Sequence, residues 1–109
     1  MLNRAALIVR PKQPYLDWAA GVDEEGQVPD SEGDQTVYLI PEFENDEEAR
    51  SVLTRVCEEV FERELEAWHA DESAWPHQRD LATFLAWFSV EMHSVVEDVV
   101  EDVLIEDDL

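Results

Sequence analysis

Leu81-Ala-Thr-Phe-Leu-Ala-Trp-Phe-Ser-Val-Glu-Met-His-Ser-Val-Val-Glu-Asp-Val99 is the stretch on which the architecture turns. Leu81, Phe84, Leu85, Phe88, Met92, Val95, Val96 and Val99 recur at three- and four-residue steps, the period of a helix that buries one stripe against a core. A helix is therefore expected to begin near Asp80, after a connector in which Pro76 keeps Trp75 from continuing a regular helix. Trp87 falls about one position off the stripe, which places it at the stripe's edge or in solvent. An exposed indole there, or Trp75 in the connector, is the kind of side chain that anchors a protein contact.

Towards the carboxyl end a local rule breaks. Val95-Val-Glu-Asp98 is repeated as Val99-Val-Glu-Asp102, so a continued helix would stack Glu97 beside Glu101 and Asp98 beside Asp102. Each like-charge pair costs about 0.2–0.5 kcal/mol, and acids at the negative end of the helix dipole cost about 0.3–1 kcal/mol more. Val103, Leu104 and Ile105 are β-prone, so residues 101–109 are expected as an edge strand or an acidic tail, with continued helix the remaining alternative.

Upstream, the most regular period belongs to Ala49, Val52, Leu53, Val56, Cys57, Val60, Phe61, Leu65 and Trp68. Asn45 or Asp46 can cap this helix, and Glu47 and Glu48 sit at the positive end of its dipole. Residues 5–9 and 36–40 are short β-branched runs bounded by Pro11 and Pro41, and read as strands. Pro14 can open a short helix over Tyr15, Leu16, Trp18 and Ala19, with Gly21 as a left-handed stop. Residues 23–34 mix acids with Gly26, Pro29 and Gly33, the composition of a mobile acidic loop. The expected fold is a single α+β domain over residues 1–109. It has a two- or three-stranded sheet packed against two long amphipathic helices, plus one short N-terminal helix. Strand direction is open: a parallel pair would need a right-handed crossover.

Charge narrows the function classes. The 28 Asp and Glu residues oppose seven Lys and Arg, for a formal charge of −21 on 109 residues. Such a chain is repelled by nucleic-acid phosphate and anionic membranes and attracted to basic proteins and divalent cations. Residues 1–22 carry Arg4, Arg10 and Lys12 against Asp17 alone, while residues 80–109 hold no Lys or Arg. The molecule is accordingly expected to be a dipole with a negative carboxyl end. No segment approaches the roughly 20 apolar residues of a membrane span, and the apolar run near the start is shorter than a signal peptide's apolar region, so none is expected there. The lone Cys57 lies in an apolar stripe, as a buried thiol in a reducing compartment would; a cytoplasmic location is expected.

Motifs for chemistry are scarce. There is no phosphate-cradling glycine pattern, no Cys-x-x-Cys, no His-Glu-x-x-His and no nucleophile elbow, so neither a catalytic nor a cofactor-binding residue is assigned. Glu66-Ala-Trp-His69, with Glu62 one turn earlier, has the spacing of carboxylate–histidine metal sites. His93, Glu97 and Glu101 would share one face of a helix that could hold a divalent cation. The residues expected to meet a partner are Glu97, Asp98, Glu101 and Asp102, with Trp87 or Trp75 as anchor.

Arg4-Ala-Ala-Leu-Ile-Val-Arg-Pro-Lys-Gln-Pro14, Val37-Tyr-Leu-Ile-Pro41, Trp68-His69, Ala74-Trp-Pro76 and His93-Ser-Val-Val-Glu-Asp98 together resemble a set of small acidic bacterial proteins of unknown function. The resemblance spans nearly the whole chain and implies a bacterial cytosolic protein, without implying an activity. Three functions are consistent with the sequence. The first is a non-enzymatic acidic interaction or inhibitor module for a basic protein. Its sharper form is a nucleic-acid mimic that blocks a DNA- or RNA-binding protein, and the third is a metal-dependent enzyme or metal sensor. A homodimer formed through an unfilled sheet edge is a further partner reading.

Overall fold

The computed structural model describes residues 2–29 and 35–100 of the chain. β1 (Ala5–Pro11) is the central strand of a three-stranded antiparallel sheet, in the order β2-β1-β3. The apolar run of residues 5–9 explains that place, because a central strand is flanked on both sides and tolerates little charge. β2 (Thr36–Ile40) pairs Leu7 with Tyr38 and Ile8 with Val37. β3 (Phe88–His93) pairs Leu7 with Met92 and Ile8 with Glu91.

Helices cover one face of this sheet. α1 (Gln13–Val22) has Pro14 in its first turn and buries Tyr15 and Ala19. It runs through Gly21, so the left-handed stop expected there is not used. The turn is closed instead by Asp23, whose N–H donates to Ala19 O and whose carboxylate accepts from the N–H groups of Glu25 and Gln27. Gly26, at φ 71°, takes the left-handed conformation. α2 (Asp46–Trp68) is the 23-residue helix the period predicts, capped by the Asn45 side chain on the Glu48 N–H at 2.8 Å. It buries Val52, Leu53, Cys57, Val60, Phe61 and Leu65. A single 3-10 turn (Glu72–Ala74) leads towards α3.

The second long helix is the main correction. α3 (Leu81–Trp87) has seven residues, and β3 follows with no intervening residue. Phe88 and Met92 are four residues apart, a separation that keeps two side chains on one face under both the helical period and the strand period of two. Residues 89–91 break the tie. Val90 is half-buried between exposed Ser89 and Glu91, a strand alternation that a helix would waste. Lys12 finishes the helix: its N–H donates to Trp87 O at 2.8 Å and its ammonium to Leu85 O at 2.9 Å. The helix's last carbonyls thus find donors outside it.

The third strand therefore comes from residues 88–93. Val103, Leu104 and Ile105, with the rest of the 101–109 strand or tail, lie outside the described residues, as do residues 30–34 of the acidic loop. Antiparallel pairing settles the strand direction. β3 and the segment after it run back along the basic amino end, where Leu2 N–H donates to Val96 O at 2.8 Å.

The core lies between sheet and helices. Ala5, Leu7, Val9, Ile40 and Phe88 pack with Tyr15, Phe61, Leu65 and Phe84 in one buried cluster. Its aromatic centre has ring centroids 5.1 Å apart for Tyr15 and Phe88, 5.4 Å for Phe61 and Phe88, and 5.2 Å for Phe84 and Phe88. Cys57 is buried in this cluster, and burial raises its thiol pKa, which suits packing and not nucleophilic work.

Candidate functional site

The sheet's other face is the candidate interface. The alternation that turns Leu7 and Val9 inward turns Ala6, Ile8 and Arg10 outward, and the register aligns them with their neighbours. Leu39, Ala6 and His93 form one row across the strands, and Val37, Ile8 and Glu91 the next. The face is apolar on the β2 side and polar on the β3 side. Val37 is 60% exposed and Leu39 47%, and among the described residues no helix covers them. His93 Nε2 lies 3.0 Å from Glu91 Oε2, and this hydrogen bond, followed by the charges of His93 and Arg10, lowers the Glu91 pKa. β2 carries no charged residue and no proline, the usual protections of an edge strand. Exposed Glu42 and Glu44 follow it directly.

A second feature lies beneath the helices. Glu64 is a carboxylate on α2, 8% exposed, and accepts a hydrogen bond from the Tyr38 hydroxyl. Burial, this hydrogen bond and the Glu64 charge push the Tyr38 pKa far above the usual phenol range. The Tyr15 hydroxyl donates to the Glu64 backbone carbonyl at 2.7 Å, so α1, α2 and β2 meet at this residue. Beside it is a cavity of ≈310 Å³ lined by Glu64, Tyr15, Trp68, Gln35, Thr36 and Pro11, among others.

The residues singled out in the sequence are dispersed. Trp75 is 7% exposed and donates its indole N–H to His69 O at 2.8 Å, so it is a core residue and not an exposed anchor. Trp87 is half-buried, with its ring 5.4 Å from Phe61 and 6.3 Å from Trp18. Its offset from the helical stripe marks the end of α3, and the change to strand turns it towards the aromatic core. Glu97 and Asp98 are exposed in the irregular segment after β3, while Glu101 and Asp102 lie outside the described residues.

The metal ladders also come apart. Glu62 Oε2 lies 3.4 Å from Arg79 Nε, Glu66 is exposed, and His69 has left the helix at φ −150°. His93 lies on β3 and Glu97 in the segment beyond it, so they do not share the helical face that the long-helix reading gave them. Among the described residues, no group of three His, Cys, Asp or Glu is placed to hold a metal ion. No described helix is long and apolar enough to cross a membrane.

Two signals could have found the sites that the sequence reading missed. Glu64 falls four residues after Val60 and three after Phe61, an acid on the apolar stripe of α2. In β2, Val37 and Leu39 are as apolar as Tyr38 and Ile40, so neither side of the strand is marked for water. No protein-family model, curated protein or solved structure matches the chain.

Proposed function

We propose that this protein is a non-enzymatic acidic interaction or inhibitor module that binds a basic protein, with the open face of its sheet at the centre of the contact. The observation that carries the reading is the uncovered apolar patch of exposed Val37 and Leu39 beside half-buried Ile8 on a chain of formal charge −21. Protein contacts combine a desolvated apolar centre with a charged rim. An uncovered apolar patch on a highly charged protein fits that division. The carboxylates attract a basic partner from a distance and speed encounter, and the apolar patch holds the complex once formed. A second copy of the chain is a poorer occupant, because two molecules of charge −21 repel. Direct nucleic-acid binding is opposed by the same charge. Exposed Glu97 and Asp98, with Glu101 and Asp102, are the proposed rim, and a reducing cytoplasm suits the buried lone thiol.

The test is affinity capture from a nuclease-treated cell lysate, read by mass spectrometry, with wild type beside the Val37→Ser/Leu39→Ser variant. The expected result is one basic protein retained by wild type, released by high salt and absent with the variant. Capture of a nucleic-acid-binding protein would narrow the reading to mimicry. An empty wild-type capture, or an identical set on both baits, would contradict the proposal.

A further inference from the structure

We infer that the outer edge of β2 takes an extended, basic segment of the partner protein as a fourth strand of the sheet. This rests on the basic-protein reading and names the part of the partner that makes the contact. Hydrogen bonding across the sheet decides which residues of β2 have backbone groups to offer. In an antiparallel pair, residues that exchange bonds alternate with residues that do not, and a residue's N–H and C=O point to the same side. The Lys12 N–H donates to Trp87 O at 2.8 Å, one step beyond the register that sets Pro11 opposite Phe88. Arg10, Ile8 and Ala6 therefore turn their backbone groups towards β3, and Val9, Leu7 and Ala5 turn theirs towards Thr36, Tyr38 and Ile40 of β2. Val37 and Leu39 are left with an N–H and a C=O each on the far side of β2, where the sheet ends. Among the described residues, no backbone group bonds to them there.

Val37 and Leu39 also carry the exposed apolar side chains of the open face, so a strand laid along this edge gains backbone hydrogen bonds and apolar contacts together. Edge strands are ordinarily guarded against such pairing by charge, proline or a bulge. Thr36–Ile40 contains neither a charged residue nor a proline, and its register with β1 is unbroken. Charge selects the occupant. No Lys or Arg occurs between Lys12 and Arg50, and exposed Glu42 and Glu44 follow β2 directly. In antiparallel addition, the slightly more stable arrangement, the amino end of the incoming strand lies beside the carboxyl end of β2. The segment that fits is a run of alternating apolar residues preceded by Lys or Arg, whose charges meet Glu42 and Glu44. A second copy of β2 would bring its own Glu42 and Glu44 and no cation to offset them.

The test uses a blocked peptide, Lys-Arg-Val-Thr-Val-Thr-Val, beside a version with Glu-Glu in place of Lys-Arg and two versions N-methylated on one or the other alternate set of the Val-Thr run. Amide hydrogen exchange by NMR is expected to be fast at Val37 and Leu39 in the free protein and slow at Tyr38 and Ile40. Saturable binding of the basic peptide should slow exchange at Val37 and Leu39. It should weaken about tenfold or more with the acidic version and with one N-methylated version, and survive the other, because only alternate residues of an added strand turn their N–H towards its neighbour. No saturable binding of the basic peptide, unprotected Val37 and Leu39 amides in the complex, or equal binding of the two N-methylated versions or of the acidic version would overturn the inference. Self-association of the protein with both amides protected would also overturn it, by giving the edge to a second copy. In any of these cases, lysate capture of a basic protein that is lost with Val37→Ser/Leu39→Ser would still support the sheet face as the contact, so the two readings fail separately.

Discussion

Glu64 is the residue at which α1, α2 and β2 meet. A buried carboxylate survives only with donors, and the Tyr38 hydroxyl is one of them. Tyr38→Phe is expected to destabilise the fold by about 1–3 kcal/mol, because it removes a donor and leaves the acceptor buried. Adding Glu64→Gln to that variant should recover part of the loss in urea denaturation, since a neutral amide costs less to bury than a charge. Equal stability of wild type and Tyr38→Phe would show that this hydrogen bond contributes nothing. Asp80 makes a second prediction. Hydrogen bonds from Thr83, and then one from Gln78, hold its pKa down to about 2, against an ordinary value of 3.8. The folded value is the lower one, so the stabilisation is fully present above pH 3.8 and is lost as the pH falls towards 2. A carboxyl-carbon NMR titration should place the Asp80 midpoint near 2, and a midpoint near 3.8 would contradict these hydrogen bonds.

Among the elements, the α3–β3 junction carries the sharpest prediction. Val90 faces the helices if residues 88–93 are a strand, and faces solvent if the helix continues. Val90→Asp is therefore expected to cost about 1–3 kcal/mol, the order for burying an unpaired polar group. Ser89→Asp should cost much less, although it adds an acid to an acidic face. Equal costs in thermal or urea melts would restore the long helix. The same junction shows how far the sequence was legible. α2 was plain because its stripe persists over 23 residues and no other period fits it. β2 was plain because Pro41 stops a short β-branched run. The helix-to-strand change was hidden because Phe88 and Met92 satisfy both periods, and because the helix is ended by Lys12, distant in sequence and adjacent only in the fold. The sheet face was hidden for a related reason: Val37 and Leu39 look like core residues, and only the positions of the helices show which side is left open. Trp75 was misread because a connector residue reveals nothing of its burial until the connector folds back.

At the scale of the whole molecule, charge sets both stability and encounter. A chain of formal charge −21 repels itself when compact, so moderate salt, which shortens the screening length to about 10 Å near 0.1 M, should raise the thermal midpoint. A midpoint that falls with salt would mean that attractive pairs such as Arg63–Glu59 outweigh the repulsion. Association should respond in the opposite way and weaken with salt, because carboxylate attraction steers the basic partner. The sheet face and the acids divide the work. Reversal of Glu97, Asp98, Glu101 and Asp102 to Lys should chiefly slow association and flatten its salt dependence. Loss of Val37 and Leu39 should chiefly speed dissociation. The most direct measurement is the dissociation rate of the captured basic protein from wild type and from the folded Val37→Ser/Leu39→Ser variant, by surface plasmon resonance at one salt concentration. An increase of about tenfold or more in the variant is the result expected of an apolar contact centre; an unchanged rate would move the contact away from the open face of the sheet.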